Sequence, residues 1–398
     1  MTVTLESLRG KIGDLDSHEA IPAPRYPEVF GEIGRRFLTE NEEMWRRADA
    51  ITIEDPESRL TVDHTDNAPI TQQTVWEMKG TVAPGAIDMD RRPAVMAEMG
   101  IQRQLVFPMM GILAWIQALG GGQLWMPVAT EKQKELGRLA MEEYNRWAGR
   151  LTSKYSNRLS IVGMLSSGEP GITPEILVKK AEALIDTGVK AIMISSGKPP
   201  AGLAPGDRKL DPFYETLAKA NVALVFHPPT GLGFRASDIW ESSMLDPLYG
   251  GVLVGHMSEM NFLCVMVLSG VFDRHPTLRV GCVEQGGEWI GPLSEQMDLA
   301  VSRNYGTRKV DSSKLSMKPS EFLSRNVRVS VMVDEPVEVW LQRYPAIHNC
   351  YCYSSDYPHV EGGPWSLKRF YDRLAPLGDS VVEKFFVTNS QLVLPIAA

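Results

Sequence analysis

The sequence predicts an α/β protein in which eight parallel strands and their helices form a (β/α)8 TIM barrel. Eight short apolar runs recur along the chain, helical patterns separate them, and polar side chains follow four of the runs. Near-continuous apolar strands that alternate with helices are typical of a parallel sheet covered on both faces. Polar side chains at the strand ends favour the barrel over a doubly wound sheet, because barrels carry their chemistry there. The runs span residues 11–18, 101–108, 158–165, 189–196, 221–228, 278–285, 327–333 and 350–356.

Helix signals separate the runs at the positions that such a barrel requires. Residues 130–155 carry apolar side chains at helical spacing, and Thr130 suits the amino-terminal cap. A second helix begins at Thr173 and Pro174 and ends before Gly188, because proline fits the first turn of a helix and glycine its end. Further helices are expected over residues 212–220 and 257–270.

A long segment follows the first predicted strand. Residues 20–97 exceed the length of an ordinary connection between a strand and its helix, and they contain several Gly and Pro breaks. We therefore expect an elaborated cap, inserted after strand 1, over the carboxyl ends of the strands. The whole chain, residues 1–398, is expected to form one barrel domain that includes this cap.

Composition and charge narrow the function classes. The 398 residues carry a net charge of −8 and no run rich in Lys or Arg, which argues against nucleic-acid binding. No apolar stretch approaches the roughly 18 residues of a membrane span, and the amino terminus lacks the apolar core of a signal peptide. The four cysteines lie in apolar surroundings and are expected to be reduced core thiols, which favours the cytoplasm.

Side chains that bind metals follow three of the predicted strands. Asp16 and His18 stand two residues apart at the end of the first run, so both point to the same face. In the fifth run His227 directly follows the apolar residues VALVF, and Asp356 ends the eighth run. Each residue alone also fits a structural role, such as a capping Asp or a core His. Together on one rim they favour a mononuclear site for a divalent ion, because carboxylates and imidazoles are metal ligands.

Several of these segments resemble signatures of the amidohydrolase-related family. They are DLDSHEAIP, VFHPP and YCYSSDYPHVEG, and the likeness extends through EMGIQRQLVFP and GVFDRHPTLRVGCVEQGGEWIGPLSEQMD. This branch of the amidohydrolase superfamily includes aminocarboxymuconate-semialdehyde decarboxylase and aromatic-acid decarboxylases. The resemblance implies a barrel of the metal-dependent hydrolase type, with one divalent ion bound by Asp16, His18, His227 and Asp356. We expect zinc, with manganese or iron as alternatives, and the resemblance also implies a homodimer.

One position departs from the decarboxylase pattern of this family. Strand 6 of those members ends in a histidine, whereas the matching stretch here places Glu284 at that position. Glu284 is either a structural carboxylate, an acid or base next to the metal, or an additional ligand. His256, in the stretch VLVGHMSEM, is a candidate for the missing catalytic imidazole, with a histidine bonded to the backbone at a helix start as the alternative.

Four neighbouring residues complete the predicted rim. Arg235 lies in the Gly-rich loop after the fifth strand and is a candidate for binding a substrate carboxylate, with a surface salt bridge as the alternative. His359 is expected to fix its loop rather than bind metal. Glu19 and Glu259 are expected to be solvated or capping residues.

Two reactions fit a site of this kind. Water bound to the ion loses a proton near neutral pH, and Asp356 is placed to receive it, which gives hydrolysis of an amide, lactone or ester. Alternatively, the ion binds a carboxylate and an adjacent hydroxyl while a strand-end acid protonates the ring carbon, which gives non-oxidative decarboxylation of an aromatic or unsaturated acid. The sequence favours hydrolysis narrowly, because Glu284 replaces the proton-donating histidine of the decarboxylases.

Two further classes stay open. An additional ligand from Glu284 or Glu259 would suit iron and therefore an oxygen-activating enzyme, and a barrel that only binds a ligand is the non-catalytic alternative. Aromatic and methionine side chains near the cap and rim hint at a small apolar or aromatic substrate. They are Trp45, Trp76, Phe107, Met109, Met110, Trp115 and Trp125.

Overall fold

The fold consists of short parallel strands connected by helices. The computed structural model describes residues 3–51, 59–122, 126–228, 256–303 and 315–395. Its strands are β1 (Ile12–Asp14), β2 (Ile101–Val106), β3 (Leu159–Ile161), β4 (Gly163–Met164), β5 (Ala191–Met193), β6 (Ala223–Phe226), β7 (Val280–Cys282), β8 (Val327–Ser330) and β9 (Tyr351–Cys352). Every predicted run contains a strand, and the third run contains β3 and β4, so the prediction of strands at these positions is confirmed.

All strand pairs are parallel and follow the order of the chain. Strands β1 to β3 form one sheet and β4 to β9 form another, and only Val162 separates β3 from β4. Apolar residues of the strands are fully buried and belong to one continuous core, as expected for strands covered on both faces. The predicted α/β class with parallel strands is therefore confirmed.

Backbone hydrogen bonds also join the segments that continue the first and last strands. The Leu15 N–H donates to the Tyr353 carbonyl at 3.1 Å. Further along, the Asp356 N–H donates to the Asp16 carbonyl at 2.9 Å. The segments that follow β1 and β9 therefore lie side by side, which brings their polar residues together.

Helices follow the strands in the expected alternation. They are α1 (Leu5–Leu8), α2 (Tyr26–Thr39), α3 (Glu42–Ile51), α4 (Gln72–Glu77), α5 (Arg92–Met99), α6 (Met110–Ala118), α7 (Glu131–Lys154), α8 (Pro174–Asp186), α9 (Asp211–Lys219), α10 (Met257–Leu268), α11 (Val271–Arg274), α12 (Ile290–Arg303), α13 (Pro319–Asn326), α14 (Val337–Arg343), α15 (Ser366–Leu374) and α16 (Asp379–Glu383). The four helices predicted individually correspond to α7, α8, α9 and α10. Among the described residues, no helix has both the length and the apolar composition needed to cross a bilayer.

Thr130 caps helix α7 as predicted. Its hydroxyl accepts a hydrogen bond from the Gln133 N–H at 3.3 Å, and the Gln133 side chain accepts one from the Thr130 N–H at 3.0 Å. Replacing Thr130 with alanine is expected to lower the free energy of unfolding by about 1 kcal/mol, because the Gln133 N–H loses its acceptor. Urea unfolding measures this change. The control Thr130→Ser keeps the hydroxyl, and equal losses in both variants would contradict the capping role.

The segment 20–97 contains helices α2 to α4 and most of α5, and it contacts the strand ends. The Gly80 N–H donates to the Pro358 carbonyl at 2.8 Å, in the loop after β9. The buried Arg92 guanidinium donates to the His18 carbonyl at 2.6 Å. These contacts place parts of the segment beside the residues that follow β1 and β9.

Candidate metal centre

The carboxyl ends of four strands supply the candidate site. Asp16 and His18 follow β1, His227 follows β6, Glu284 follows β7 and Asp356 follows β9. Because these strands run parallel, their ends meet at one edge, and the side chains converge there. The structure therefore brings together the four predicted ligands and Glu284.

The donor atoms of this cluster lie close to one another. His18 Nε2 is 3.1 Å from Glu284 Oε2, 3.3 Å from Asp356 Oδ1 and 3.4 Å from Asp16 Oδ1. His227 Nε2 is 2.7 Å from Glu284 Oε2 and 3.8 Å from Asp16 Oδ1. Two overlapping sets of four donors each fit within 4.8 Å, namely Asp16, His18, His227 and Glu284, and His18, Glu284, Asp356 and His359.

Burial makes a cation the natural complement of this cluster. The Asp16 side chain is fully buried and the Asp356 side chain is 2% exposed, and among the described residues neither carboxylate accepts a hydrogen bond. A buried carboxylate that lacks hydrogen-bond donors destabilises the folded protein unless a positive charge compensates it. Carboxylates and imidazoles together suit a divalent transition-metal ion, so the residues present fit the metal that the resemblance implies.

Neighbouring groups fix the orientation of the His18 and His227 rings. His227 Nδ1 is 2.6 Å from the Pro228 carbonyl, which suits an N–H donor and leaves Nε2 directed at the cluster. Metal-binding histidines commonly make such a second hydrogen bond. Phe107 stacks on His227 at 4.2 Å between ring centroids, and His359 stacks on His18 at 3.7 Å.

Asp14 is a residue of this site that the sequence interpretation missed. Its carboxylate accepts hydrogen bonds from the Ser355 N–H at 2.8 Å, the Ser355 hydroxyl at 2.6 Å and the Gln104 amide at 2.9 Å. Burial raises the pKa of Asp14 to about 7, against the effect of these hydrogen bonds. Asp14 thereby ties the residue before Asp356 to β1. The period of two along Asp14, Asp16 and His18 was the available signal.

His256 is a predicted rim residue that does not join the cluster. His256 Nδ1 is 3.1 Å from Glu288 Oε1, and the His256 ring lies parallel to Trp289 at 6.3 Å, outside both donor sets. Among the described residues, no contact between His256 and the proposed metal ligands supports its predicted catalytic role. Arg235 lies outside the described residues.

Two glutamates are buried rather than solvated. Glu19 accepts hydrogen bonds from the N–H groups of Ile21 and Met110, so it caps the amino terminus of α6 as one of its two predicted roles requires. Glu259 accepts from the Ser196 hydroxyl at 2.5 Å and the Gln285 amide at 3.1 Å. The expectation of solvent exposure is wrong at both positions, because polar groups distant in the sequence satisfy these carboxylates.

His359 contacts Asp356 through both its backbone and its side chain. Its backbone N–H donates to the Asp356 carbonyl at 2.7 Å, which agrees with the predicted loop contact. In addition, His359 Nδ1 is 3.3 Å from Asp356 Oδ1, and the side chain is 23% exposed. His359 therefore connects the buried carboxylate of Asp356 with the solvent side of the site.

The metal-free protein is expected to lose stability as the pH rises from about 6.5 to about 9. Burial opposes the charged form of His227, but the nearby carboxylates of Glu284 and Asp16 outweigh it and raise the pKa of His227 to about 9. A raised pKa in the folded state stabilises the protein fully below the unfolded pKa of about 6.5, and this contribution disappears as the pH passes through the folded pKa. Urea unfolding of chelator-treated protein across this range measures the loss. The variant His227→Gln should lose less stability, and an equal loss would contradict this assignment.

Comparisons with known proteins agree with the fold and with the family resemblance. The sequence profile of the family described as Amidohydrolase matches residues 126–304. A search of curated proteins finds no match. An amidohydrolase from Mycobacterium avium subsp. paratuberculosis K-10 is similar in structure, with a TM-score of 0.62 and 18% identity over 96% of this chain and 99% of its own.

Two aromatic-acid decarboxylases share the fold over nearly their full length. The 5-carboxyvanillate decarboxylase of Novosphingobium aromaticivorans DSM 12444, solved with manganese and 4-hydroxy-3-methoxy-5-nitrobenzoic acid, has a TM-score of 0.58 and 17% identity, covering 98% of this chain and 97% of its own. The 2,6-dihydroxybenzoate decarboxylase of Rhizobium has a TM-score of 0.59 and 15% identity, covering 97% of this chain and 98% of its own.

These relatives correct the preferred reaction. The sequence favours hydrolysis over decarboxylation, but the similar solved structures are mainly decarboxylases of aromatic acids, so the hydrolase prediction is wrong. The prediction relied on the missing histidine at position 284. The structure instead places His359 3.3 Å from Asp356, so the cluster has a third imidazole from another strand end.

The family match and the shared fold agree with the motifs that follow β1, β6 and β9. They confirm the resemblance of this chain to the amidohydrolase-related family.

Proposed function

We propose that this protein is a metal-dependent, non-oxidative decarboxylase of an aromatic or unsaturated carboxylic acid. The observation that carries the proposal is the convergence of two buried imidazoles and three carboxylates at the strand ends. The chain shares its fold with decarboxylases of 5-carboxyvanillate and 2,6-dihydroxybenzoate, which supports this reaction class over others of the family.

Asp16, His18, His227 and Asp356 are the proposed ligands of one divalent ion. When bound, the ion would supply positive charge to the carboxylate of the substrate. Zinc is the ion expected from the sequence, whereas the manganese of a similar decarboxylase supports manganese. Elemental analysis distinguishes them.

The proton for the reaction is proposed to come from the pair of Asp356 and His359. The bond between the ring carbon and the carboxylate breaks, its electron pair stays on the ring carbon, and CO₂ leaves. The ring carbon then takes a proton from Asp356. His359 lies 3.3 Å from Asp356 Oδ1 and is partly exposed, so it can replace that proton from solvent.

A closed barrel with a cap is the proposed architecture for this site. The hydrogen bonds between Leu15 and Tyr353 and between Asp16 and Asp356 support closure of the sheet between β1 and β9. The single residue between β3 and β4 supports their reading as one barrel strand. The Arg92 contact with the His18 carbonyl supports residues 20–97 as a cap within one domain.

Substrate contacts and assembly remain predictions. Arg235 is the proposed partner of a substrate carboxylate, and the stack of Phe107 on His227 supports an aromatic surface beside the ligands. His256 is retained only as a predicted acid or base. A homodimer and a cytoplasmic location are expected, and sedimentation equilibrium tests the first.

Elemental analysis followed by a substrate screen tests the proposed function. We expect about one equivalent of a divalent ion in the purified protein, and release of CO₂ from a hydroxylated aromatic acid but no ring opening of lactones. Chelation should abolish the CO₂ release, and added Mn²⁺ should restore it. A protein that holds no metal and takes up none, or that opens lactones without releasing CO₂ from any acid, would contradict the proposal.

A further inference from the structure

We infer that Glu284 is a fifth protein ligand, which turns the metal centre into a site of two nitrogens and three carboxylate oxygens that selects a six-coordinate ion over tetrahedral zinc. This inference rests on the proposed function, since it presupposes a metal at the strand ends. It goes beyond the set of four ligands that the family resemblance implies.

The position of the Glu284 carboxylate carries the inference. Its Oε2 lies 2.7 Å from His227 Nε2 and 3.1 Å from His18 Nε2. The corresponding distances from Asp16 Oδ1 are 3.8 Å and 3.4 Å, so Glu284 lies closer to both imidazoles than this proposed ligand does. Both overlapping donor sets also contain Glu284 together with His18. A cation bound by the two rings and Asp16 therefore has Glu284 Oε2 within its reach.

The backbone of Glu284 supports the same role. Glu284 has a φ of +57° and Asp356 a φ of +50°, a region that residues other than glycine rarely adopt. Such backbone strain persists only where the surroundings enforce it, which at these two strand ends directs carboxylates into one cluster. The Glu284 N–H donates to the Ser330 hydroxyl at 2.8 Å, which holds this conformation from the next strand, β8.

The alternative of a structural carboxylate fits the contacts less well. A structural Glu at a strand end would pair with an arginine or with backbone N–H groups. Among the described residues, the side-chain hydrogen bonds and ion pairs of Glu284 all involve His18 and His227, whose Nε2 atoms both face Oε2. These two imidazole nitrogens and the carboxylate oxygen that they face are three donors of the kinds that bind a metal ion.

A fifth ligand changes which ion the site prefers. Zinc in proteins is usually tetrahedral, so four protein ligands already fill its coordination sphere. Three carboxylates with two imidazoles instead suit harder ions that take six ligands, such as manganese or ferrous iron. Five protein ligands leave one position of a six-coordinate ion open, so water or one substrate oxygen occupies it.

Manganese binding to the metal-free protein tests this inference without any assay of activity. Electron paramagnetic resonance of free Mn²⁺ gives the affinity, and the relaxation rate of water protons gives the number of waters on the bound ion. For the unmodified protein we expect one coordinated water, and two or more would overturn the inference. This measurement does not depend on whether any variant folds.

Substitution of Glu284 provides the second measurement. In Glu284→Gln we expect Mn²⁺ affinity to fall at least about 100-fold, the upper range for loss of an outer-shell partner, and the bound ion to gain a water. Zinc affinity should fall less than Mn²⁺ affinity. The control Glu288→Gln removes a charge from the same loop, where Glu288 contacts His256 and not the cluster, and should leave both values unchanged. Circular dichroism confirms that each variant is folded.

The outcomes separate this inference from the proposed function. If Glu284→Gln binds Mn²⁺ with unchanged affinity and hydration, Glu284 is not a ligand, while the metal site and the decarboxylase proposal stand. If the unmodified protein binds no metal at all, both are wrong. If the protein binds metal with one coordinated water but releases CO₂ from no acid, the five-ligand site stands and the reaction class is wrong.

Discussion

Replacing Asp356 with asparagine is expected to lower the rate of decarboxylation at least about a thousandfold while the protein stays folded. The Asp356 side chain is 2% exposed, and its Oδ1 faces both His18 and His359 at 3.3 Å. The amide has nearly the same shape, but it lacks the negative charge that would bind the ion, and it cannot pass a proton from His359 to the ring carbon. Release of CO₂ measures the rate, and circular dichroism measures the fold.

A matched pair elsewhere in the chain controls for a general effect of losing an Asp that faces a His. Asp211 Oδ1 lies 3.1 Å from His275 Nε2, the Asp211 side chain is 25% exposed, and neither residue belongs to the cluster. Asp211→Asn is therefore expected to keep the rate of the unmodified protein, even if its stability falls. Near-normal turnover in Asp356→Asn would remove Asp356 from the proposed site.

Replacing His227 with alanine is expected to empty the metal site and thereby abolish activity. The ring supplies one of two nitrogen donors, and its Nε2 faces Glu284 and Asp16. Loss of this ligand should reduce metal affinity at least about 100-fold, so dialysis would remove the ion. Elemental analysis after dialysis measures the metal content, and release of CO₂ measures the consequence.

His275→Ala provides the corresponding histidine control, because it removes the partner of Asp211 and leaves the cluster intact. This variant should retain its metal and its activity. A full complement of metal in His227→Ala would show that the ion binds elsewhere, and the ligand assignment would then be wrong. Lost activity with retained metal would instead restrict His227 to a role in positioning substrate.

Local patterns in the sequence predict most of the fold. Each apolar run became a strand because its side chains are buried on both faces, and this depends on local composition. Thr130 was identified as a cap because hydrogen bonding at a helix start involves residues three apart. For Glu19 the sequence left open a solvated or a capping role, and only the structure shows the capping role, because the Met110 N–H that it accepts from belongs to a helix about ninety residues later in the chain.

The same distinction between local sequence patterns and tertiary packing applies to the candidate site. The sequence by itself determined which residue types end the strands, and therefore the family resemblance, the parallel strands and the four ligand candidates, because strand periodicity and strand ends are local properties. Only the tertiary structure decided that Glu284 lies between both imidazoles, that His359 contacts Asp356 and that His256 pairs with Glu288. Those distances depend on how several strand ends pack together, and no single segment of the chain contains that information.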